Sequence, residues 1–148
     1  MNEWPAALWA SISAMTAALV LTLIAVLGSF ARQGAAIQQM DDNAIAIVKE
    51  YRKYAQFNGT TNLYPQDVIS AIAESRGNPE IWIDILPGND VNFAKIYTVY
   101  TPAADFSVNA LTQAKAGEVE IFPTEARFSA SLDTDANGAI IHIEFRRE

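Results

Sequence analysis

The chain has 148 residues, a formal net charge of −7 and no cysteine. This length leaves room for one small domain once an apolar segment is set aside. Its ten Lys and Arg are scattered, so we expect no nucleic-acid partner, and the lack of cysteine excludes disulfides, thiolate catalysis and Cys-ligated metals.

The first segment, Trp4–Ala31, is 28 residues long and carries no charged side chain. A helix needs about 20 apolar residues to cross a bilayer, whereas the apolar part of a secretory signal spans only about 7–15 residues behind a basic start. Pro5 fits the first turn of a helix, where its missing N–H is not needed. We therefore predict that residues 4–31 form a retained transmembrane or filament-core helix, and that processing removes no more than Met1.

Small residues recur along this segment. Without a hydrophobic drive between helices in lipid, close approach over small side chains favours their association. We predict an assembly interface on one side of the helix, formed by Ala10, Ala14, Ala17, Leu21, Ile24 and Gly28. The alternative is a plain membrane anchor in which the alanines have no role.

Residues 32–58 form an amphipathic half, and we predict one long helix over residues 1–58. Its apolar positions follow a heptad spacing and would cover a sheet: Ile37, Met40, Ala44, Ile47, Tyr51 and Tyr54. Asn58-Gly59 fits a helix C-cap. Arg32 is the only basic residue close to the apolar segment and favours a cytoplasmic C-terminal part, whereas a surface filament requires the opposite orientation.

We predict that residues 59–148 form an α+β domain packed on the amphipathic half. A short helix is predicted from Gln66 to about Arg76, with Val68, Ile69 and Ile72 on its apolar face. The predicted strands are 81–86, 94–101, 119–122, 126–132 and 139–146, rich in β-branched and aromatic residues between turns. Residues 103–118 fit either a short helix or a loop. The expected fold is a long N-terminal helix packed on a small antiparallel sheet.

Residues 133–144 match the calcium-loop pattern of EF-hands, D-x-[DN]-x-[DN]-G-x5-E. Asp133, Asp135 and Asn137 would supply side-chain oxygens. Strand-like segments flank the loop, however, and an extended strand would hold Glu144 about 17 Å beyond Ala139. The competing interpretation is a hairpin turn in which Asp and Asn tolerate left-handed backbone. If an ion binds, we expect it to use Asp133, Asp135 and Asn137 without Glu144.

No pattern in the chain indicates an enzyme. His142 is the single histidine, and the alternation of the last strand predicts that it faces solvent. No Ser or Asp partner accompanies it in a hydrolase pattern, and no phosphate-binding loop or dinucleotide fingerprint is present. We therefore expect neither catalysis nor a cofactor, apart from the calcium alternative.

A long helix, first apolar and then amphipathic, followed by a small α+β domain that ends in strands, resembles the type IV pilin architecture. Tyr64-Pro65-Gln66-Asp67-Val68-Ile69-Ser70-Ala71-Ile72, followed by 81–86, is similar to small pilin-like proteins of tight-adherence-type pilus loci in Firmicutes. No basic prepilin leader precedes the apolar helix, and Glu3 lies outside it, so leader cleavage and the usual assembly role of the pilin glutamate are not expected.

The resemblance implies a structural subunit of an extracellular pilus-like filament, assembled through its N-terminal helix. Its partners would be other copies of itself, with a membrane before assembly and the cell surface afterwards. The alternative is a single-pass, membrane-anchored binding module or secretion-machinery component that does not polymerise.

Overall fold

The computed structural model describes residues 3–148, which form two units, 3–45 and Ala46–Glu148. Helix α1 runs without a break over Trp4–Tyr54. Within the first unit this helix is the only element, and it begins at a position where Pro5 falls in the first turn. The helix continues through Gly34, where no atom lies within 4 Å of the position that a Cβ would take.

The second unit contains the end of α1, two 3₁₀ turns, two further helices and seven strands. In chain order they are the 3₁₀ turn Ala55–Phe57, β1 Thr60–Leu63, α2 Pro65–Ser75, β2 Glu80–Asp84, β3 Phe93–Tyr97, a 3₁₀ turn Ala103–Phe106, α3 Val108–Thr112, β4 Lys115–Ala116, β5 Val119–Glu120, β6 Phe128–Thr134 and β7 Ile140–Arg147. The α+β class predicted from the sequence is confirmed.

The main sheet has five strands in the order β1-β6-β7-β2-β3. The prediction of a purely antiparallel sheet is wrong, because β7 pairs in parallel with β2, with Ile81 opposite Ile143 and Ile83 opposite Phe145. The hairpin makes β7 antiparallel to β6. The direction of β2 is set separately, by its connection from α2, and β7 lies beside β2 with the same direction. Side-chain alternation reports the buried face of a strand but not the direction of its neighbour.

The core lies between one face of this sheet and α2. Val68, Ile69 and Ile72 of α2 are buried, as the helical spacing predicted. Opposite them, alternate sheet residues are buried on the same face: Ile81, Ile83, Phe128, Ala130, Ile143 and Phe145. The start of α2 is held by Asp67, whose carboxylate accepts the backbone N–H of Tyr64 at 3.0 Å.

The C-terminal end of α1 also reaches this core. Tyr54 is the one buried residue of α1, and Phe57 follows it in the 3₁₀ turn with its ring edge-on to Phe145, 5.5 Å between centroids. Ile47 is half-buried, whereas Val48 and Tyr51 are exposed. Within the second unit, therefore, the last turns of the long helix pack on the sheet and do so chiefly through two aromatic rings.

Several short elements differ from the sequence prediction. β1 pairs with β6 at one edge of the sheet although no strand was predicted there. The segment left open at 103–118 contains a 3₁₀ turn and α3, and 119–122 contributes only the two-residue β5, paired with β4. β4 and β5 have two residues each, which is too few to show a hydrophobic period, and the four residues of β1 include only one apolar side chain, Leu63. Pattern alone therefore does not identify such strands.

The turn after α2 depends on a glycine. Arg76 ends the helix in the left-handed region with φ 49°, and Gly77 follows at φ 84°. A Cβ on Gly77 would lie 2.0 Å from the carbonyl carbon of Thr98 and 2.4 Å from the backbone nitrogen of Val99. Because these neighbours are backbone atoms, they cannot rotate away. Gly77 thus allows the chain leaving α2 to pass against the end of β3.

We predict that Gly77→Ala lowers the free energy of unfolding by about 3–5 kcal/mol, because it adds a backbone collision to left-handed strain. Gly88→Ala is the matched control, since Gly88 has φ 91° but open space around it; it should cost only about 1–2 kcal/mol. Thermal unfolding of the full chain in detergent measures both. Equal losses from the two variants would contradict the role given to the Thr98 contact.

A second prediction concerns alkaline pH. Burial, with a smaller contribution from Asp105, raises the pKa of Tyr97 to about 12 from an ordinary value of 10.0. In the unfolded chain the phenol ionises near pH 10 while the folded chain keeps it neutral, so stability is lost as pH rises from about 10 to about 12. Tyr97→Phe should weaken that loss, and Tyr100→Phe, at a 96% exposed position, should not. Melting temperatures between pH 8 and 12 would show the difference; identical profiles for parent and Tyr97→Phe would contradict it.

Candidate functional site

The surface that most needs a partner is the apolar part of α1. Every described residue of the first unit, 3–45, is exposed. Large side chains are included, with Leu19 71% and Phe30 64% exposed. By length and composition the helix is apolar enough to cross a membrane. Apolar side chains at this density are normally removed from water, so lipid or protein must cover this part of the helix.

Three hydroxyl groups within the apolar segment donate hydrogen bonds to the backbone of the helix itself. Ser11 donates to the carbonyl of Ala7 at 3.0 Å, Thr16 to Ile12 at 2.8 Å, and Thr22 to Ala18 at 2.8 Å. Each of these bonds removes a donor that would otherwise be costly to place in an apolar medium. The segment is therefore compatible both with a hydrocarbon environment and with a dry contact between helices.

The six residues predicted to form the assembly interface are all exposed on the first unit: Ala10, Ala14, Ala17, Leu21, Ile24 and Gly28. Their spacing of four and three residues keeps them along one side of the helix. Ala17 and Leu21 also line a shallow groove with Ser13 and Thr16, and larger side chains such as Trp9 and Ile12 line it too. The structure thus brings the six together on one surface, and their role in assembly stays a prediction.

The predicted calcium loop lies in the connection between β6 and β7 and forms a closed hairpin turn. The Asp135 N–H donates to the Ala139 carbonyl at 2.9 Å, and the Gly138 N–H donates to the Asp135 carbonyl at 3.0 Å. Gly138 takes φ 83°, in the left-handed region. Asp135 Oδ1 accepts the N–H groups of Asn137 at 2.8 Å and of Ala139 at 2.9 Å. These backbone hydrogen bonds lower the pKa of Asp135, and the bond from the Ala139 N–H has the largest effect.

The other two elements of the calcium pattern point elsewhere. Asp133 Oδ2 lies 3.7 Å from His142 Nδ1, and Glu144 Oε1 lies 3.2 Å from His142 Nε2. The extended strand keeps Glu144 away from the turn, opposite Ser131 on β6. Within residues 3–148, no three His, Cys, Asp or Glu side chains are grouped so that they could hold a metal ion. Of the three residues predicted to bind calcium, Asp133, Asp135 and Asn137, the first lies beside His142 and the second already accepts two backbone N–H groups of the turn.

The expectation that His142 faces solvent is wrong, because it is only 8% exposed. Its ring stacks on Trp82, with centroids 4.1 Å apart and planes 11° from parallel. Trp82 is on β2, and the parallel pairing that the sequence did not reveal places it next to β7. His142, Trp82 and Glu144 therefore form a polar-aromatic cluster on the face of the sheet opposite the core.

A groove beside α2 includes two carboxylates, and both have structural partners. Glu74 forms an ion pair with Lys53 at 3.1 Å, and Asp67 accepts the N–H of Tyr64 that begins α2. Phe57 and Leu63 provide apolar lining. The Lys53–Glu74 pair joins α2 to the end of α1, and no pattern of the sequence had indicated it.

No protein-family model, curated protein or solved structure matches this chain. The resemblance to type IV pilins therefore stays a prediction based on architecture and on one short segment.

Thermal unfolding with and without calcium tests whether the β6–β7 turn binds the ion. Because backbone N–H groups already occupy Asp135 Oδ1, we predict that millimolar calcium or EDTA leaves the melting temperature of the full chain unchanged. A ligand bound only by the folded state would raise it by mass action. A rise in the melting temperature with calcium would instead establish the site, provided that Asp133→Asn abolishes it. Asp90→Asn, which changes a loop carboxylate outside the motif, should preserve that rise.

Proposed function

We propose that this protein is a structural subunit of an extracellular pilus-like filament that assembles through its N-terminal helix. The observation that carries the proposal is the exposed apolar helix of the first unit, which continues without a break into the turns that pack on the folded second unit. A membrane can hold such a helix before assembly, and copies of the same helix can cover it afterwards.

The size of the uncovered surface supports this function over catalysis. Full burial contributes about 1.5–3 kcal/mol for each large apolar side chain, and the exposed ones include Leu19, Leu23, Leu27 and Phe30. Small residues between them permit close helix contact. In a filament, the folded second unit would face outward and form the surface.

The second candidate is a membrane-anchored module that stays monomeric. It is favoured by the length of the uncharged segment, 28 residues, and by the hydroxyls that the helix satisfies internally. Lipid alone would cover the helix in that case, and the side chains on one helix face would matter no more than those on another.

Bulky substitutions on the predicted interface separate the two functions. Ala10→Trp should abolish filaments because its ring blocks close approach, and Ala14→Arg should do so because a charge is costly to desolvate in an apolar bundle. Met15→Trp is the control, since Met15 is exposed and lies about 140° around the helix from Ala10. The measurement is electron microscopy of sheared surface material from cells producing each full chain.

Membrane levels of each variant, and its melting temperature in detergent, check that insertion and folding are intact. Filaments from the parent and from Met15→Trp, but not from the two interface variants, are the expected result. Normal filaments from all variants would contradict the interface, and a parent chain that stays in the membrane without filaments would favour the anchor.

A further inference from the structure

Two charges lie on opposite sides of the first-unit helix. Arg32 is the only charged residue between Glu3 and Asp41. Nine residues separate Arg32 from Asp41, and at 3.6 residues per turn this is about two and a half turns, or about 180° around the axis. Both residues are exposed, and within the described part of the chain neither takes part in an ion pair.

The same two sides differ in the size of their apolar residues. On the side of Arg32, one to several turns before it, lie mostly small residues, among them Ala10, Ala14 and Gly28, with Leu21 as a large exception. On the side of Asp41 lie large and exposed side chains: Leu19, Leu23, Phe30 and Ile37. The helix therefore has a small side that ends in a cation and a large side that ends in an anion. Two surfaces that differ in both size and charge sign are complementary to each other, and neither is complementary to itself.

We propose that the small side of each helix packs on the large side of a second copy, parallel to it and displaced along the axis by nine residues, about 14 Å. This displacement places Arg32 of one copy beside Asp41 of the next. At this displacement, five pairs of apolar residues from the two copies lie side by side: Ala10 and Leu19, Ala14 and Leu23, Ala17 and Val26, Leu21 and Phe30, and Gly28 and Ile37. Ile24 lies beside Gln33 at the margin of the contact. The inference rests on the proposed function and specifies the register of its assembly.

The charges select this displacement from its alternatives. Opposite sides also face each other, less well aligned, at shifts of about two or sixteen residues and of about five or thirteen residues. Those shifts would set Arg32 against an uncharged residue, namely Gly34, Val48, Ile37 or Ile45, so that a cation would lose water without gaining a partner. At nine residues the guanidinium meets a carboxylate, which it can bind through two parallel hydrogen bonds.

The geometry of the contact explains how a filament rather than a closed dimer would follow. A contact between two different surfaces leaves one of each free on every pair, so further copies add without limit. Helices held at one depth by a bilayer cannot be displaced by about 14 Å without moving apolar residues into water. The register would therefore form as subunits leave the membrane, and a lateral association of membrane anchors would not show it.

Cysteine crosslinking tests the register, since the parent chain has no cysteine. Gly28→Cys combined with Ile37→Cys should give a ladder of disulfide-linked multimers in sheared filaments, because each chain would link to two neighbours. Either substitution alone should give monomers. Gly28→Cys with Gln38→Cys is the matched control, because residue 38 lies about 100° around the helix from residue 37 and should form no ladder.

Charge reversal supplies an independent measurement. Arg32→Asp and Asp41→Arg should each reduce sheared filaments by about tenfold or more, since like charges would face each other, and the double reversal should restore them. Asp42→Arg makes the same charge change one residue on, about 100° away, and should leave filament yield within about twofold of the parent. Membrane levels of each variant show whether insertion is unaffected.

A ladder from the Gly28/Ile37 pair alone, together with rescue by the double reversal, supports the register. Two results would contradict the register and leave the filament function intact. One is a ladder only from the Gly28/Gln38 control pair, and the other is disulfide-linked dimers from the single-cysteine variants. A parent chain that forms neither filaments nor multimers would overturn both.

Discussion

The need to cover one apolar helix governs the rest of this molecule. The side chains of residues 3–45 are exposed throughout, and burial of Leu19, Leu23 and Phe30 alone would contribute about 5–9 kcal/mol at ordinary values for large apolar residues. That is comparable with the entire stability of a small domain. No element of the first unit covers these residues, so the fold of this unit is complete only in a medium or an assembly that removes them from water.

The second unit meets a different requirement, because it has a core of its own. Phe128, Ile143 and Phe145 of the sheet are buried in a core shared with α2, and Tyr54 of α1 and Phe57 of the following 3₁₀ turn belong to the same core. An aromatic contact between Phe57 and Phe145 thus connects the end of the long helix with the central strand of the sheet. One continuous helix therefore belongs to a folded domain at its C-terminal end, while its residues in the first unit are exposed within that unit.

Polar side chains in and near the β6–β7 hairpin make contacts within the fold itself. Asp135 uses one carboxylate oxygen to bind two backbone N–H groups of its own turn. His142 lies against Trp82 and between two carboxylates. The string that resembles an EF-hand loop is therefore divided between a hairpin turn and a strand, because the backbone after Gly138 is extended and not helical.

The sequence alone determined the features that depend on local period and composition. The uncharged run of 28 residues indicated the long helix, the spacing of Val68, Ile69 and Ile72 indicated the buried face of α2, and Asn137-Gly138 indicated a turn. These predictions succeed because a helical face or a left-handed turn is set by residues close together in the chain. The approximate positions of the longer strands follow from the same kind of signal.

Tertiary structure decided which distant segments became neighbours. The parallel pairing of β7 with β2 buried His142 under Trp82, against the prediction of a solvent-facing histidine, because alternation along one strand carries no information about the strand beside it. Gly77 acquired its importance from Thr98, which approaches it only in the folded chain. Within the second unit, the end of α1 meets the core through Tyr54 and, in the following 3₁₀ turn, Phe57. The sequence could not specify these contacts, because a heptad spacing defines only the side of a helix and not where the sheet lies in space.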